Sequence, residues 1–226
     1  MATASAPARA PVKTVEEYDP PLTVEEFERL PGGEGKEELH DGRVVRMAPT
    51  GLAHGVVVGE LMDALRARVR ALGGRSWGFV TTETGYKLWP DRPRESRAPD
   101  VSVVRAARLP GGRITRRLVR GIPDLAVEVL SPTDKLPDAE FKVREYLDAG
   151  VPLVWLVDPL ERVRVWDGAT GAETVLRTGP ASPPGSGLDA LDGGDVVPGF
   201  RLPLAELWEA VGPVGDDADD DEESEA

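Results

Sequence analysis

The longest periodic pattern of apolar residues in this chain runs from His54 to Leu72 and predicts an amphipathic helix. Its apolar stripe consists of Val57, Leu61, Leu65, Val69 and Leu72. A second helical pattern covers residues 137–149, and Gly150 is a natural C-cap for it. Residues 204–211 predict a terminal helix.

A short helix is expected near the N-terminus, because Thr23 and Glu26 have the spacing of a capping box. We expect this helix to end near Leu30, before Pro31. Further along, Asp41-Gly42 lies between apolar residues, which indicates a hairpin with strands at about 37–41 and 43–48.

Short apolar or alternating runs predict the remaining strands. These are expected at about 76–82, 84–89, 100–104, 124–131, 153–157 and 162–166. The last alternates like an edge strand, and the Gly-, Pro- and Ser-rich run 180–194 predicts a loop. Strands and helices in this order indicate an α/β (mixed α+β) domain with helices packed on a mixed sheet.

Composition favours one folded domain with two tails. Of 226 residues, 40% are hydrophobic, and we assign residues 22–211 to the domain. Residues 1–21 are rich in Ala and Pro and predict a flexible leader, while 212–226 predict a disordered acidic tail. The chain has no cysteine, which excludes thiolate metal sites and is compatible with a reducing cytoplasm. No apolar run is long enough to predict a membrane span.

The net charge of −13 is unevenly distributed. Residues 216–226 hold eight acids and no base, so the rest of the chain carries only −5. A basic segment free of acids contains Arg105, Arg108, Arg113, Arg116, Arg117 and Arg120. Because local charge governs phosphate binding, this segment is a candidate for contacting nucleic-acid phosphates, and a solvated loop is the alternative.

Two acids occur where apolar strands are predicted. Glu128 lies in the middle of the run 125–130, and Asp100 begins the run 100–104. A buried carboxylate needs a cation, a metal or several hydrogen-bond donors as compensation. If their strands are neighbours, the two carboxylates can share one hard metal ion, whereas Asp124 and Glu128 on one strand are about 13 Å apart.

An ordered set of short motifs resembles the PD-(D/E)XK nuclease superfamily and, within it, the Uma-two family of bacterial endonucleases. The motifs are Glu38-Leu39-His40-Asp41-Gly42, His54, Pro99-Asp100-Val101-Ser102-Val103, Val127-Glu128-Val129-Leu130-Ser131-Pro132, and the run from Lys142 through Tyr146 and Gly150 to Pro159. The resemblance covers residues 22–209 approximately. It implies a restriction-endonuclease-like mixed central sheet flanked by helices, with an N-terminal β-hairpin.

The same resemblance implies a chemistry and assigns residues to it. Asp100 and Glu128 would bind Mg²⁺ or Mn²⁺ with a main-chain carbonyl near Val129, and the substrate would be DNA. Leu130 stands where the superfamily usually has its lysine. Lys142 on the following helix matches the family's alternative position, and Lys135 is a weaker substitute.

Three further residues are candidates for the same centre. The resemblance implies that Tyr146 supports Lys142 and that Glu38 is an additional acid near the metal. His54 matches a histidine of the family, and the alternative for it is a capping or surface role. For Glu38 the alternative is an ordinary strand residue beside the hairpin.

The sequence therefore predicts a metal-dependent DNA endonuclease, with a homodimer expected for double-strand cleavage. Two alternatives remain open at this level: a non-catalytic DNA- or protein-binding module that retains the nuclease fold, and a hydrolase of small phosphoesters.

Overall fold

A six-stranded mixed sheet forms the centre of the protein. The computed structural model describes residues 13–32, 35–131, 134–159, 162–177 and 189–212. In chain order the strands are β1 (Lys13–Glu16), β2 (Glu37–His40), β3 (Arg43–Met47), β4 (Gly78–Thr82), β5 (Tyr86–Lys87), β6 (Val101–Arg105), β7 (Val119–Arg120), β8 (Leu125–Val129), β9 (Leu153–Asp158), β10 (Arg162–Asp167), β11 (Glu173–Leu176), β12 (Ala190–Asp192) and β13 (Arg201–Pro203). The helices are α1 (Val24–Phe27), α2 (Leu52–Ala71), α3 (Leu136–Asp148) and α4 (Leu204–Val211).

The central sheet has the strand order β11-β10-β9-β8-β6-β4. Only β8 and β9 pair in parallel, and α3 is the crossover between them. The other neighbouring strands of this sheet are antiparallel. This arrangement confirms the predicted mixed α/β class.

Both faces of the sheet are covered, which explains why every residue of β8 is buried and why all of them except Glu128 are apolar. Leu125 and Val127 face the cluster formed with α2 and α4, which includes Leu61 and Leu207. Ala126 and its neighbours on the other face pack against α3. Because strand residues alternate, Glu128 projects to the same face as Ala126, toward α3.

The predicted hairpin is confirmed as β2 and β3, joined by Asp41-Gly42. Both turn residues have positive φ, 49° for Asp41 and 77° for Gly42, as a two-residue turn of the primed type requires. A Cβ on Gly42 would also lie 2.6 Å from that of Pro21. The capping box at Thr23 is confirmed too, although α1 ends at Phe27.

Residues 13–16, which the sequence analysis placed in a flexible leader, form β1 along the free edge of β3. The alternation of Thr14-Val15-Glu16 supplies a strand once β3 is present to pair with it. Residues 1–12, the first part of the predicted leader, and residues 213–226, nearly all of the predicted acidic tail, lie outside the described residues.

Two predictions about strands at the C-terminal side are wrong. β10 is not an edge strand, because β11 pairs with it on the side away from β9. Three of the four residues of β11 are exposed, so the segment has almost no apolar signal. The predicted loop 180–194 also contains β12, paired with β13.

No helix in the described part of the chain is long and apolar enough to cross a membrane.

Candidate active site

Six residues singled out in the sequence come together at one end of the central sheet. Five of them lie on four elements, and the sixth, Asp100, directly precedes β6. The five are Glu38 on β2, His54 on α2, Glu128 on β8, and Lys142 and Tyr146 on α3. All six are largely or wholly buried.

Asp100 and Glu128 lie on neighbouring strands, as expected if their strands pair. β6 and β8 are antiparallel with Val101 opposite Val127, and the same register continued by one residue puts Asp100 opposite Glu128. Opposed residues share a face of the sheet, so their carboxylates converge. The main-chain N–H of Val129 donates to Asp100 Oδ2 at 2.8 Å and fixes that carboxylate.

Lys142 joins two of the acids. Its Nζ lies 2.8 Å from Glu38 Oε1 and 2.9 Å from Glu128 Oε1. Tyr146, one turn later on the same face of α3, donates its hydroxyl to Glu128 Oε1 at 2.6 Å. The helix therefore presents two donors to the same carboxylate oxygen.

Glu38 is fully buried and fully engaged. Oε1 accepts the main-chain N–H of Ala98 at 3.0 Å, and Oε2 lies 2.8 Å from His40 Nε2. Burial opposes ionisation, but Lys142 and the bond to His40 outweigh it and hold the pKa of Glu38 well below its usual range. The ionised form of Glu38 is therefore favoured beside Lys142.

The pKa of Glu128 is shifted in the opposite direction from that of Glu38. Burial raises its pKa, and the ammonium groups of Lys142 and Lys36 offset that rise only in part. Asp100 is also buried, but Lys36 and the neighbouring His54 lower its pKa below the usual range. Burial, followed by the charge of Glu128, raises the pKa of Tyr146 well above its usual value, which keeps its hydroxyl protonated.

Sequence reasoning missed Lys36, which precedes β2. Its Nζ lies 2.7 Å from Asp100 Oδ1 and 3.5 Å from Glu128 Oε2, and its side chain is only 10% exposed. Burial works against the charge, yet Glu128 and Asp100 raise the pKa of Lys36 above its usual value. The sequence did contain a signal for Lys36: in an extended chain alternate side chains share a face, so Lys36 and Glu38 project to the same side.

His54 is buried and lies at the edge of the same cluster. Its Nε2 is 3.4 Å from Asp100 Oδ2. The N-cap of α2 is Gly51, so His54 is neither the cap nor a surface residue. Its position allows it to support the charge of Asp100.

A small cavity of about 80 Å³ opens beside the acids. Lys36, His54, Asp100, Glu128 and Lys142 contribute to its wall. Its outer part is lined by Thr50, Ser131, Asp134, Lys135 and Asp138, among others. Lys135 is exposed and makes no ion pair with the described residues, whereas Lys142 contacts two acids.

The donor set is compatible with a hard divalent cation, provided that water completes its coordination. Within the described ranges, no group of three or more His, Asp or Glu side chains is arranged to hold a metal. The usable oxygens are the carboxylates of Asp100 and Glu128 and the main-chain carbonyl of Val129. Pro99 stands opposite Val129 in the continued register, and Pro has no N–H to donate to that carbonyl.

The basic segment begins at the end of β6 that lies away from Asp100. Three of its arginines are engaged inside the protein: Arg105 Nη2 donates to the carbonyl of Asp195 at 2.7 Å, Arg108 Nε to Asp124 at 2.8 Å, and Arg120 Nη2 to Glu28 at 2.7 Å. Arg113, Arg116 and Arg117 are exposed and form no ion pair with the residues that the structure describes. None of the six lines the cavity.

Comparison with known proteins agrees with this architecture. The crystal structure of a protein from Anabaena variabilis, described as a putative nuclease belonging to DUF820, covers 85% of this chain and 100% of its own length. The TM-score is 0.66 and the sequence identity 20%, which shows a shared fold. No curated protein matches the chain. The Uma2 family model, described as "Putative restriction endonuclease", matches residues 24–205, and the chain therefore belongs to the Uma2 family.

Proposed function

We propose that the protein is a metal-dependent endonuclease that hydrolyses phosphodiester bonds in DNA. The observation that carries this proposal is the buried constellation in which Lys142 joins Glu38 to Glu128 while Asp100 lies opposite Glu128 on the next strand. Three buried acids and a buried lysine are costly for a fold and are typical of a catalytic centre.

In this proposal Asp100, Glu128 and the carbonyl of Val129 would hold Mg²⁺ or Mn²⁺, since hard oxygen ligands suit these ions. The bound ion would supply an acidified water and neutralise charge on the scissile phosphate. Lys142 orients the attacking water or stabilises the developing negative charge.

The surrounding residues position this machinery. Glu38 holds Lys142 from the side opposite Glu128, and Tyr146 fixes the Glu128 carboxylate by its hydrogen bond. His54 lies beside Asp100 and supports its charge. Because these partners come from separate elements, the geometry is maintained by the fold and not by one flexible loop.

DNA binding requires cations that are free to meet phosphates. In the basic segment, Arg113, Arg116 and Arg117 are exposed and meet this requirement best, while Arg105, Arg108 and Arg120 have partners inside the protein. A double-strand cut by a domain with one such centre would further require a homodimer.

The second candidate function is a non-catalytic DNA- or protein-binding module on the same fold. It is favoured by one observation, the position of Lys36, whose ammonium already compensates Asp100 and Glu128 without a metal. Such a module would lose little binding when the acids are replaced.

The experiment that separates the two is cleavage of supercoiled plasmid in Mg²⁺, Mn²⁺ or EDTA by the wild type and by Glu128→Gln, which keeps the side-chain shape. Glu60→Gln, on the exposed side of α2, is the matched control. We expect metal-dependent nicking by the wild type and the control, and none by Glu128→Gln. Equal nicking by all three proteins, or none by any, would count against the endonuclease.

A further inference from the structure

We propose that Lys36 is a resident cation of the acidic centre and that a divalent ion enters only when the Lys36 ammonium leaves. This inference rests on the proposed function, since it concerns the same pair of ligands. It adds a residue that none of the motifs contains and gives that residue a specific role, which is to compete with the metal.

The geometry places the ammonium where the metal would be shared. Lys36 Nζ contacts Oδ1 of Asp100 at 2.7 Å and approaches Oε2 of Glu128 at 3.5 Å. The other oxygens are already used: Asp100 Oδ2 accepts from Val129, and Glu128 Oε1 accepts from Tyr146 and contacts Lys142. Among the residues that the structure describes, Lys36 therefore contacts the one oxygen on each acid that no other group approaches closely.

Size and charge make simultaneous occupancy unfavourable. Mg²⁺ binds carboxylate oxygens at about 2.0–2.1 Å. An ammonium 2.7 Å from the same oxygen would lie close to the ion, and the two positive charges would repel each other. The cluster of Asp100, Glu128 and Glu38 carries three negative charges against the two ammonium groups. If a dication replaces one ammonium, its two positive charges and that of the remaining lysine neutralise the three carboxylates.

The Lys36 ammonium can make way for a metal ion while the backbone of Lys36 stays in place. The carbonyl of Lys36 accepts the main-chain N–H of Met47 at 3.0 Å, which anchors its backbone to β3. Its four-carbon side chain faces the cavity, whose outer part contains the carboxylates of Asp134 and Asp138. Because these two acids are exposed and line the same cavity as Lys36, we expect them to receive the displaced ammonium.

The first test uses the wild-type protein and the metal alone. Lysine reactivity toward an amine-acylating reagent is measured by mass spectrometry with and without saturating Mn²⁺. Lys36 is expected to be protected without metal and to become several-fold more reactive with it, while Lys142 stays protected under both conditions. A Lys36 that remains equally protected in saturating Mn²⁺ would overturn the inference.

The second test compares Mn²⁺ affinity by calorimetry in the wild type, Lys36→Met and Lys142→Met. Both variants remove one positive charge from the same cluster, but only Lys36 contacts Asp100 closely. We expect Lys36→Met to bind Mn²⁺ about 10- to 100-fold more tightly than the wild type, the value of one charged hydrogen bond, and Lys142→Met to gain clearly less.

The outcomes separate this inference from the proposed function. If the wild type and Lys36→Met bind Mn²⁺ equally, Lys36 does not compete and only the present inference fails. If neither protein binds Mn²⁺, the metal-dependent mechanism fails together with it.

Discussion

Arg97 and Glu145 form a buried bidentate ion pair that connects the segment preceding Asp100 to helix α3. Arg97 Nε donates to Glu145 Oε2 at 2.8 Å, and Nη2 donates to the other carboxylate oxygen. The remaining nitrogen, Nη1, donates to the carbonyl of Leu39 at 2.9 Å, next to Glu38 on β2. One guanidinium thus connects three of the four segments that carry the acids and Lys142, namely β2, the residues before β6, and α3.

This connection predicts a large cost for removing one partner. Glu145→Gln leaves the buried Arg97 with a weaker acceptor on α3 and with Glu95, 3.0 Å from Nη1, as its remaining ion pair. We therefore expect a loss of about 2–3 kcal/mol in the free energy of unfolding. Arg46→Met is the control, because Arg46 pairs with Glu16 at a half-exposed site and is expected to cost at most about 1 kcal/mol. Urea unfolding measures both, and equal losses would contradict a structural role for the pair.

The choice of catalytic lysine is tested by two methionine variants. Lys142→Met is expected to lower the cleavage rate by about 10²–10³-fold, as loss of a single charge-stabilising donor does in other enzymes. Lys135→Met, at an exposed position on the same cavity, is expected to leave the rate nearly unchanged. The rate is measured on plasmid in Mg²⁺, and thermal unfolding of each variant checks that it is folded. The reverse order of effects would assign the role to Lys135.

Tyr146 and Tyr86 provide a pair of matched buried hydroxyls. Tyr146 donates to Glu128, whereas Tyr86 bonds to Ser102 at 2.8 Å, away from the acids. Replacing either by Phe is expected to cost about 1 kcal/mol of stability, since each loses one hydrogen bond. Only Tyr146→Phe should also weaken Mn²⁺ binding and cleavage. If Tyr86→Phe affects cleavage as strongly, the hydroxyl of Tyr146 has no specific role.

The three exposed arginines of the basic segment predict a salt-dependent effect. Replacing Arg113, Arg116 and Arg117 by Gln should weaken binding to duplex DNA and reduce the slope of log affinity against log salt by up to about 3. Fluorescence anisotropy in EDTA, at several salt concentrations, measures this without cleavage.

The control replaces three exposed arginines elsewhere, on and just after α2: Arg66, Arg70 and Arg75. It removes the same net charge, so a general electrostatic effect would appear in both triple variants. An equal loss of affinity in the two would show that the basic segment has no special contact with DNA.

Local sequence was sufficient for most of the elements. The capping box at Thr23, the Asp41-Gly42 turn and the apolar stripe of α2 each depend on residues within a few positions of one another, and the structure has all three. The same holds for the unusual placement of Asp100 and Glu128 in apolar runs. Backbone sterics and helical or strand periodicity act over short range, which makes such features visible in one sequence.

Tertiary structure alone decided which side chains meet. Lys36 lies 64 residues from Asp100 along the chain, and its local sequence places it on one face with Glu38 but does not identify Asp100 as its partner. Long-range packing also decides the contacts of Lys142 with Glu38 and Glu128, the internal pairing of Arg108 and Arg120, and the position of β11. A charge pattern reports that a partner is needed, but the identity of the partner is set by strand order and helix placement, which distant parts of the chain determine together.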